Sequence, residues 1–464
     1  MRREITLTIA FILVLNTVTS FAISEKNINK SIFENEENSS KIGFFQVENR
    51  SGVWMFIDPD GKPFFSSGVC GVTAKGFYAP DIGCYPYYEN IIDIYGDEYN
   101  WANVTYERLT SWGFNTVAGG DDFILAKKIP YTIQLGLSNM NMTERTIPDY
   151  FSDEWYEQVE MICKEKVEPL ANDTQLIGYF LANEIRWGGE FQDYGDMFRD
   201  FLLKSWDSPG KQFLVEFLRE KYNGDIKAFN RAWLTFFKSF DDIYNVSYLG
   251  LFPRTIKSRE DRADFTFAVA EHFFKTCHDT IRKYDKNHLL LGVRFLAYGV
   301  PREVVKACAM YNDVISVNQY PTPYINKIFL PFLEVFFNFV STKDSLQEYY
   351  DIAEKPIMNS EIHFRALDSG LPNTIPSPVL MPVYLSQIGR SLNFYNMMIK
   401  FVEKPYSVGY HWYTHMDEPK TGRANDGENS NIGLVNVNDR PYYLLISTMK
   451  EVNAVAKSKV DNAI

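Results

Sequence analysis

Two glutamates stand where apolar runs end, each with polar neighbours. In "LIGYFLANEIRWGG" (176–189) an apolar run from Leu176 to Leu181 delivers Asn183 and Glu184. In "KPIMNSEIHF" (355–364) a second run delivers Ser360, Glu361 and His363. An amide and a carboxylate at the mouth of a buried strand are costly unless paired. Two carboxyls facing one cleft are what glycoside hydrolysis asks for. One protonates the leaving oxygen, and the other attacks the anomeric carbon or activates water. The first needs a raised pKa and the second must stay ionised. Asn183, just before Glu184, suits a sugar 2-hydroxyl. Other runs end in Asn318, Gln319 and Tyr320, or carry His411, Trp412 and His415, and one contains Arg294.

The elements that must position these residues follow from the apolar pattern. Eight apolar stretches read as strands: 64–70, near 115–119, 129–137, 175–184, 288–295, 313–320, 355–362 and 407–415. They are continuously apolar, as strands buried on both faces should be. Helical patterns alternate with them, which points to an α/β fold, a (β/α)8 TIM barrel. "FFQVENRSGVWMFIDPDGKPFF" places an N-terminal β-hairpin before the first strand, turning at "RSG" and "DPDG". After strand 4 comes a helical insertion of about a hundred residues, with two helices joined at Asn223-Gly224 and a strong helix near 262–284. In such barrels the active site lies at the C-terminal ends of the strands. Glu184 and Glu361, on strands 4 and 7, then face each other across the mouth.

Bulk properties narrow the partners. The net charge of −12 argues against nucleic acid, whose phosphates need a basic surface. Aromatics at 16% suit sugar stacking, and suit a large core equally well. Residues 1–22 read as a signal peptide: Arg2 and Arg3, an apolar run, then "SFA" as a small-x-small cleavage site. Residues 23–40 read as a flexible leader, and 41–455 as one catalytic domain. With the signal removed, no membrane span is expected; "INKIFLPFLEVFFNFV" (325–340) reads as an amphipathic helix. The expected location is secreted or extracytoplasmic.

A doubly wound sheet is the alternative fold, weakened because no Gly-rich phosphate fingerprint follows the first strand. No cofactor is expected. No metal is expected either. The five cysteines form no CxxC pair, and His363, His411 and His415 lack HExxH spacing. His363 and His411 read as polar or sugar contacts. Cys70 and Cys84 could close a short loop in an oxidising compartment. The loop "MDEPKTGRANDGENSN" (416–431) reads as a substrate rim.

These motifs resemble a known family. "ANE" paired with the later glutamate is similar to the retaining (β/α)8-barrel glycoside hydrolases. "KPIMNSEIHFRALDSGLPNT", "GRANDGENSNIGLVNVNDRPYYLL" and the opening "FFQVENRSGVWMFIDPDGKPFFSSGV" resemble the β-agarase and β-galactosidase-like branch, over residues 41 to 450. "YNGDIKAFNRAWLTFF" resembles a helix pair of barrel β-galactosidases. The resemblance implies Glu184 as general acid/base, Glu361 as nucleophile and Asn183 on the sugar 2-hydroxyl. It implies Tyr320 and Arg294 beside the nucleophile and Trp412 as a sugar platform. The additional carbohydrate-binding region usual in such agarases is not expected here, so the expectation extends equally to a galactoside oligomer and to agarose. The expectation is a secreted retaining hydrolase of β-linked galactosides or galactans, with an oligo- or polysaccharide partner. The alternatives are the same chemistry on a mannan or glucan, or a non-catalytic sugar-binding protein.

Overall fold

The computed structural model describes residues 43–118, 126–138, 147–187, 196–250, 253–321, 340, 344–374 and 381–463. The signal segment, the leader and all but the last residue of the 325–340 stretch lie outside these. No described helix is long and apolar enough to cross a membrane.

The chain begins with three antiparallel strands, one more than a hairpin: β1 (Gln46–Arg50), β2 (Val53–Ile57) and β3 (Pro63–Phe64). Ser51 and Gly52 form the first turn, both with positive φ (52° and 87°), as a two-residue turn matched to strand twist requires. In the second turn Asp58 Oδ1 accepts from the backbone N–H of Asp60 and Lys62. Phe45 and Phe56 then pack with Ile177, Leu289, Val314, Met358 and Val408, residues near the starts of the main strands. The hairpin thus covers the end of the sheet where the strands begin.

The main sheet is a curled, all-parallel sheet inside an α/β fold. Its members are β4 (Ser66–Cys70), β5 (Thr116–Ala118), β6 (Tyr131–Gln134), β7 (Leu176–Phe180), β8 (Leu289–Leu290), β9 (Phe295–Leu296), β10 (Ile315–Asn318), β11 (Ile357–Ile362) and, after the short pair β12 (Arg365–Ala366) and β13 (Val383–Tyr384), β14 (Ser407–Trp412). Their order is β8-β7-β6-β5-β4-β14-β11-β10-β9. All residues of β4, β5, β7, β10 and β14 are buried. This is why their sequence is apolar throughout rather than alternating.

The expected single strand at 288–295 is two short pieces. Gly292 (φ 80°) and Arg294 (φ 53°) both enter the left-handed region, which no strand allows. The interrupted backbone is reused: Leu181 N–H donates to Gly292 O at 2.8 Å and Glu184 N–H to Val293 O at 3.2 Å. Ser316 Oγ accepts from Arg294 N–H at 2.9 Å.

In the insertion after β7, helices at Met197–Leu203, Pro209–Lys221 and Ile226–Trp233 precede a long helix, Ile256–Tyr284. Asn223 and Gly224, with φ of 50° and 76°, make the expected helix junction. The long helix starts six residues before the expected one, at a capping box formed by Thr255 and Ser258. The final helix, Tyr443–Asp461, runs past residue 455. All five cysteines are free. Cys70 and Cys84 are not joined, because Cys70 is buried among the strands with its Sγ 3.9 Å from Ser360 O.

Candidate active site

The polar residues singled out in the sequence collect at and beyond the C-terminal ends of β7, β10, β11 and β14. Glu361 lies within β11, whereas Glu184 sits four residues past β7, with φ 49°. Such a conformation is uncommon outside glycine and aims the side chain away from the strand direction.

Glu361 is held at both oxygens. The Tyr320 hydroxyl donates to Oε1, and Arg294 Nη2 donates to Oε2. Arg294 is itself anchored: Nη1 donates to Gln134 Oε1 at 2.8 Å, Nη2 to Ser360 O at 3.2 Å, and the guanidinium lies 5.5 Å from the Phe180 ring centroid. Both partners of the ion pair are almost fully buried, with side-chain exposures of 7% and 12%. Removing one member of such a pair costs about 3–5 kcal/mol, because the other charge is left unmatched.

Glu184 has the opposite environment. Asn318 Nδ2 donates to its Oε1 at 2.8 Å. Burial first, and then the charge of Glu361, push its pKa up from 4.5 to about 7; the Asn318 N–H and Arg294 pull the other way. The same Asn318 nitrogen lies 3.2 Å from Asn183 Oδ1 and 3.4 Å from Glu361 Oε2. One amide thus touches both glutamates and Asn183. Asn318 was visible as a strand end in the sequence, but nothing distinguished it there from an ordinary polar cap.

Three of the expected contacts fall differently. His363 is near the site, its ring 4.7 Å from that of Tyr320. Neither of its buried ring nitrogens has a hydrogen-bond partner among the described residues. Burial and the charges of Arg365, Arg390 and Arg423 hold it neutral, its pKa well below the usual value.

His411, expected at the mouth, lies beneath it. It is fully buried, its Nε2 is 2.9 Å from Ser66 Oγ, and its ring meets Phe180 edge-on. It fits because Gly68 has no side chain: a Cβ there would come within 2.4 Å of the imidazole. Burial and Arg294 lower its pKa to about 3.

Trp412, expected as a sugar platform, points outward into the core. It is fully buried, donates Nε1–H to Ile432 O at 2.9 Å, and packs on Phe364, Phe394 and the Arg390 guanidinium. Strand alternation explains the error: with His411 facing inward, Trp412 faces outward. The next residue, Tyr413, is the aromatic on the cleft side. It stays partly exposed, its ring is 6.2 Å from that of His363, and its hydroxyl accepts from Arg423 Nη1 at 2.8 Å. His415 is buried elsewhere, between the Tyr87 and Trp101 rings.

The 416–431 loop folds around Arg423. That guanidinium contacts Glu418 at 2.8 Å, Asp426 at 2.7 Å and Glu428 at 2.9 Å, and lies 5.3 Å from the Phe77 ring centroid. Ala424 N–H donates to Tyr78 O, and Asn373 N–H to Asn429 O, so the loop is tied to the segments after β4 and β11. Glu428 is close enough to Glu184 to raise its pKa.

With this geometry in place, similarity to known proteins becomes informative. The chain is similar to β-agarases. It is 27% identical to beta-agarase B of Vibrio sp. (strain JT0107), over 89% of this chain and 48% of that protein. It is 26% identical to beta-agarase A of the same strain, over 88% and 45%. Its fold matches that of an exo-β-agarase with a TM-score of 0.74 at 25% identity, over 90% of this chain and 65% of the other. It matches the agarase AgWH50C with a TM-score of 0.75 at 25% identity, over 91% and 66%. The chain spans about half the length of the curated relatives it matches. No family model matches it.

Proposed function

We propose that the protein is a retaining glycoside hydrolase acting on β-linked galactosides or galactans such as agarose. The observation that carries this reading is the pair of glutamates bridged by one amide, one paired to Arg294 and Tyr320, the other with its pKa raised to about 7. An acid with a raised pKa beside a second carboxyl paired to a guanidinium and a hydroxyl is what acid-assisted nucleophilic displacement requires. The galactan part of the reading rests on the names of the similar proteins.

In this mechanism Glu361 attacks the anomeric carbon while Glu184 gives its proton to the departing oxygen. Glu184 then takes a proton from water, whose oxygen displaces Glu361 and frees the sugar. Arg294 and Tyr320 stabilise Glu361 as a carboxylate before attack and as a leaving group after it. Retention is supported by the shared donor. Asn318 Nδ2 is 2.8 Å from Glu184 Oε1 and 3.4 Å from Glu361 Oε2. Those oxygens are therefore closer than the roughly 6.5 Å at which inverting pairs begin. Asn183 is assigned to the sugar 2-hydroxyl. Tyr413, in place of Trp412, is assigned to the sugar face.

The scaffold is read as a (β/α)8 barrel, because the two ends of the sheet order, β8 and β9, are consecutive pieces of one segment. Residues 41–455 with the end of the last helix form the proposed catalytic domain. Export through a cleaved segment at 1–22 is part of the same proposal.

The test is hydrolysis of agarose and of aryl β-galactoside, β-glucoside and β-mannoside, by wild type beside Glu361→Ala. Cleavage of agarose or galactoside by wild type alone, with the β-anomer released first, is the expected result. Initial release of the α-anomer would overturn retention, and cleavage of only glucoside or mannoside would overturn the galactan reading.

A further inference from the structure

We propose that Asn318, braced by Ser360, is the positioning residue that decides which oxygen of Glu184 carries the proton it donates. The inference rests on Glu184 being the acid/base of the proposed reaction. An amide nitrogen only donates. Asn318 Nδ2 faces three acceptors: Glu184 Oε1 at 2.8 Å, Asn183 Oδ1 at 3.2 Å and Glu361 Oε2 at 3.4 Å. A flipped amide would put its oxygen against Asn183 Oδ1 and the Glu361 carboxylate, which electrostatics disfavours. On the other side, Asn318 Oδ1 accepts from Ser360 Oγ at 2.8 Å. The acceptors on the first side set the orientation, and the Ser360 hydroxyl, able to donate or accept, completes it.

Ser360 reaches this position through an irregularity in the sheet. Val317 pairs with Asn359 but Asn318 pairs with Glu361, so Ser360 is the extra residue of a bulge. It then braces both halves of the site, its hydroxyl on Asn318 and its carbonyl on Arg294 Nη2.

The consequence is chemical. Glu184 Oε1 accepts from Asn318 in either protonation state, so the acidic proton resides on Oε2, which has no partner among the described residues. In the first step the Oε2–H bond breaks as that proton joins the glycosidic oxygen, whose bond to the anomeric carbon breaks while Glu361 bonds to that carbon. The remaining Glu184 carboxylate is stabilised by the same Asn318 N–H. In the second step Oε2 takes the proton of the attacking water.

The experiment measures kcat/KM for agarose across pH, and for phenyl and dinitrophenyl β-galactosides, which do and do not need acid assistance. Wild type, Asn318→Ala, Asn318→Asp, Ser360→Ala and Glu184→Gln are compared. The charged groups facing Glu184 are Glu361 on β11, Arg294 between β8 and β9, and Glu428 on the rim loop. Loss of the Asn318 donor leaves their net effect and removes a contact that favours ionisation, so the basic limb moves to higher pH. Asn318→Ala is expected to slow the phenyl substrate about 10–100-fold and the dinitrophenyl substrate far less. Asn318→Asp, of the same shape but unable to donate when ionised, is expected to be worse than alanine. Ser360→Ala is expected to act in the alanine direction but more weakly.

Equal losses on both leaving groups, with the basic limb unmoved and aspartate better than alanine, would reduce Asn318 to a packing residue and overturn the inference. If Glu184→Gln itself spares both galactosides equally, the acid/base assignment fails, separately from the role of Asn318.

Discussion

Glu184 is a carboxyl kept from ionising by its surroundings, and that has a cost in stability. Its folded pKa of about 7 lies above the ordinary 4.5. Between those values the unfolded chain has released the proton and the folded chain still holds it. Stability therefore falls as pH rises from about 4.5 to about 7, and the loss persists above. Glu184→Gln removes the penalty. The variant is expected to match wild type near pH 4 and to exceed it at pH 8 by roughly 1–3 kcal/mol, measured by urea unfolding, while losing about 10²–10⁴-fold in turnover. No gain at pH 8 would mean that the carboxyl ionises freely. Both glutamates and Asn183 were legible as neighbours because each ends an apolar run, whereas the places of Tyr320 and Arg294 beside Glu361 followed from the family resemblance. Asn318 was not legible as a bridge. Its role depends on a one-residue bulge at Ser360, which no local pattern announces.

At the scale of the element, β14 shows how a single residue of register redirects an assignment. Trp412 is the larger aromatic and drew the sequence reading, yet the period of two along a strand gives the cleft to Tyr413. The pair makes a sharp test. Tyr413→Ala is expected to raise KM for the sugar substrate and leave the thermal midpoint almost unchanged, whereas Trp412→Ala is expected to cost about 3–5 kcal/mol of stability and leave KM of the folded enzyme alone. Kinetics and urea melts on the two variants decide it, and the reverse pattern would restore Trp412 to the site. The 288–295 segment carries a related lesson. Its apolar composition reads as one strand, but positive φ at Gly292 and Arg294 splits it. An arginine in the left-handed region is a product of tertiary demand, here the reach to Glu361, and is invisible to propensity.

At the scale of the molecule, the eight apolar runs were readable because strands buried on both faces cannot hide their composition. The third antiparallel strand at the N-terminus was missed, since two residues leave no period to detect. That hairpin seals the sheet at the end remote from the glutamates, with Phe56 fully buried against Ile177, Met358 and Val408. Phe56→Ala is expected to destabilise the protein by about 3–5 kcal/mol while turnover below the melting range stays near wild type. A parallel loss of turnover in folded protein would show that the two ends are coupled. At the other end, Arg423 joins Glu418, Asp426, Glu428 and Tyr413, and backbone bonds fasten its loop to two neighbours. The wall beside Glu184 is therefore standing before any ligand arrives. On the proposed function, a matching oligosaccharide would lose little freedom to ordering of this loop on binding. In that reading, selectivity at this face would follow from a preformed wall with the Arg423 guanidinium at its hub.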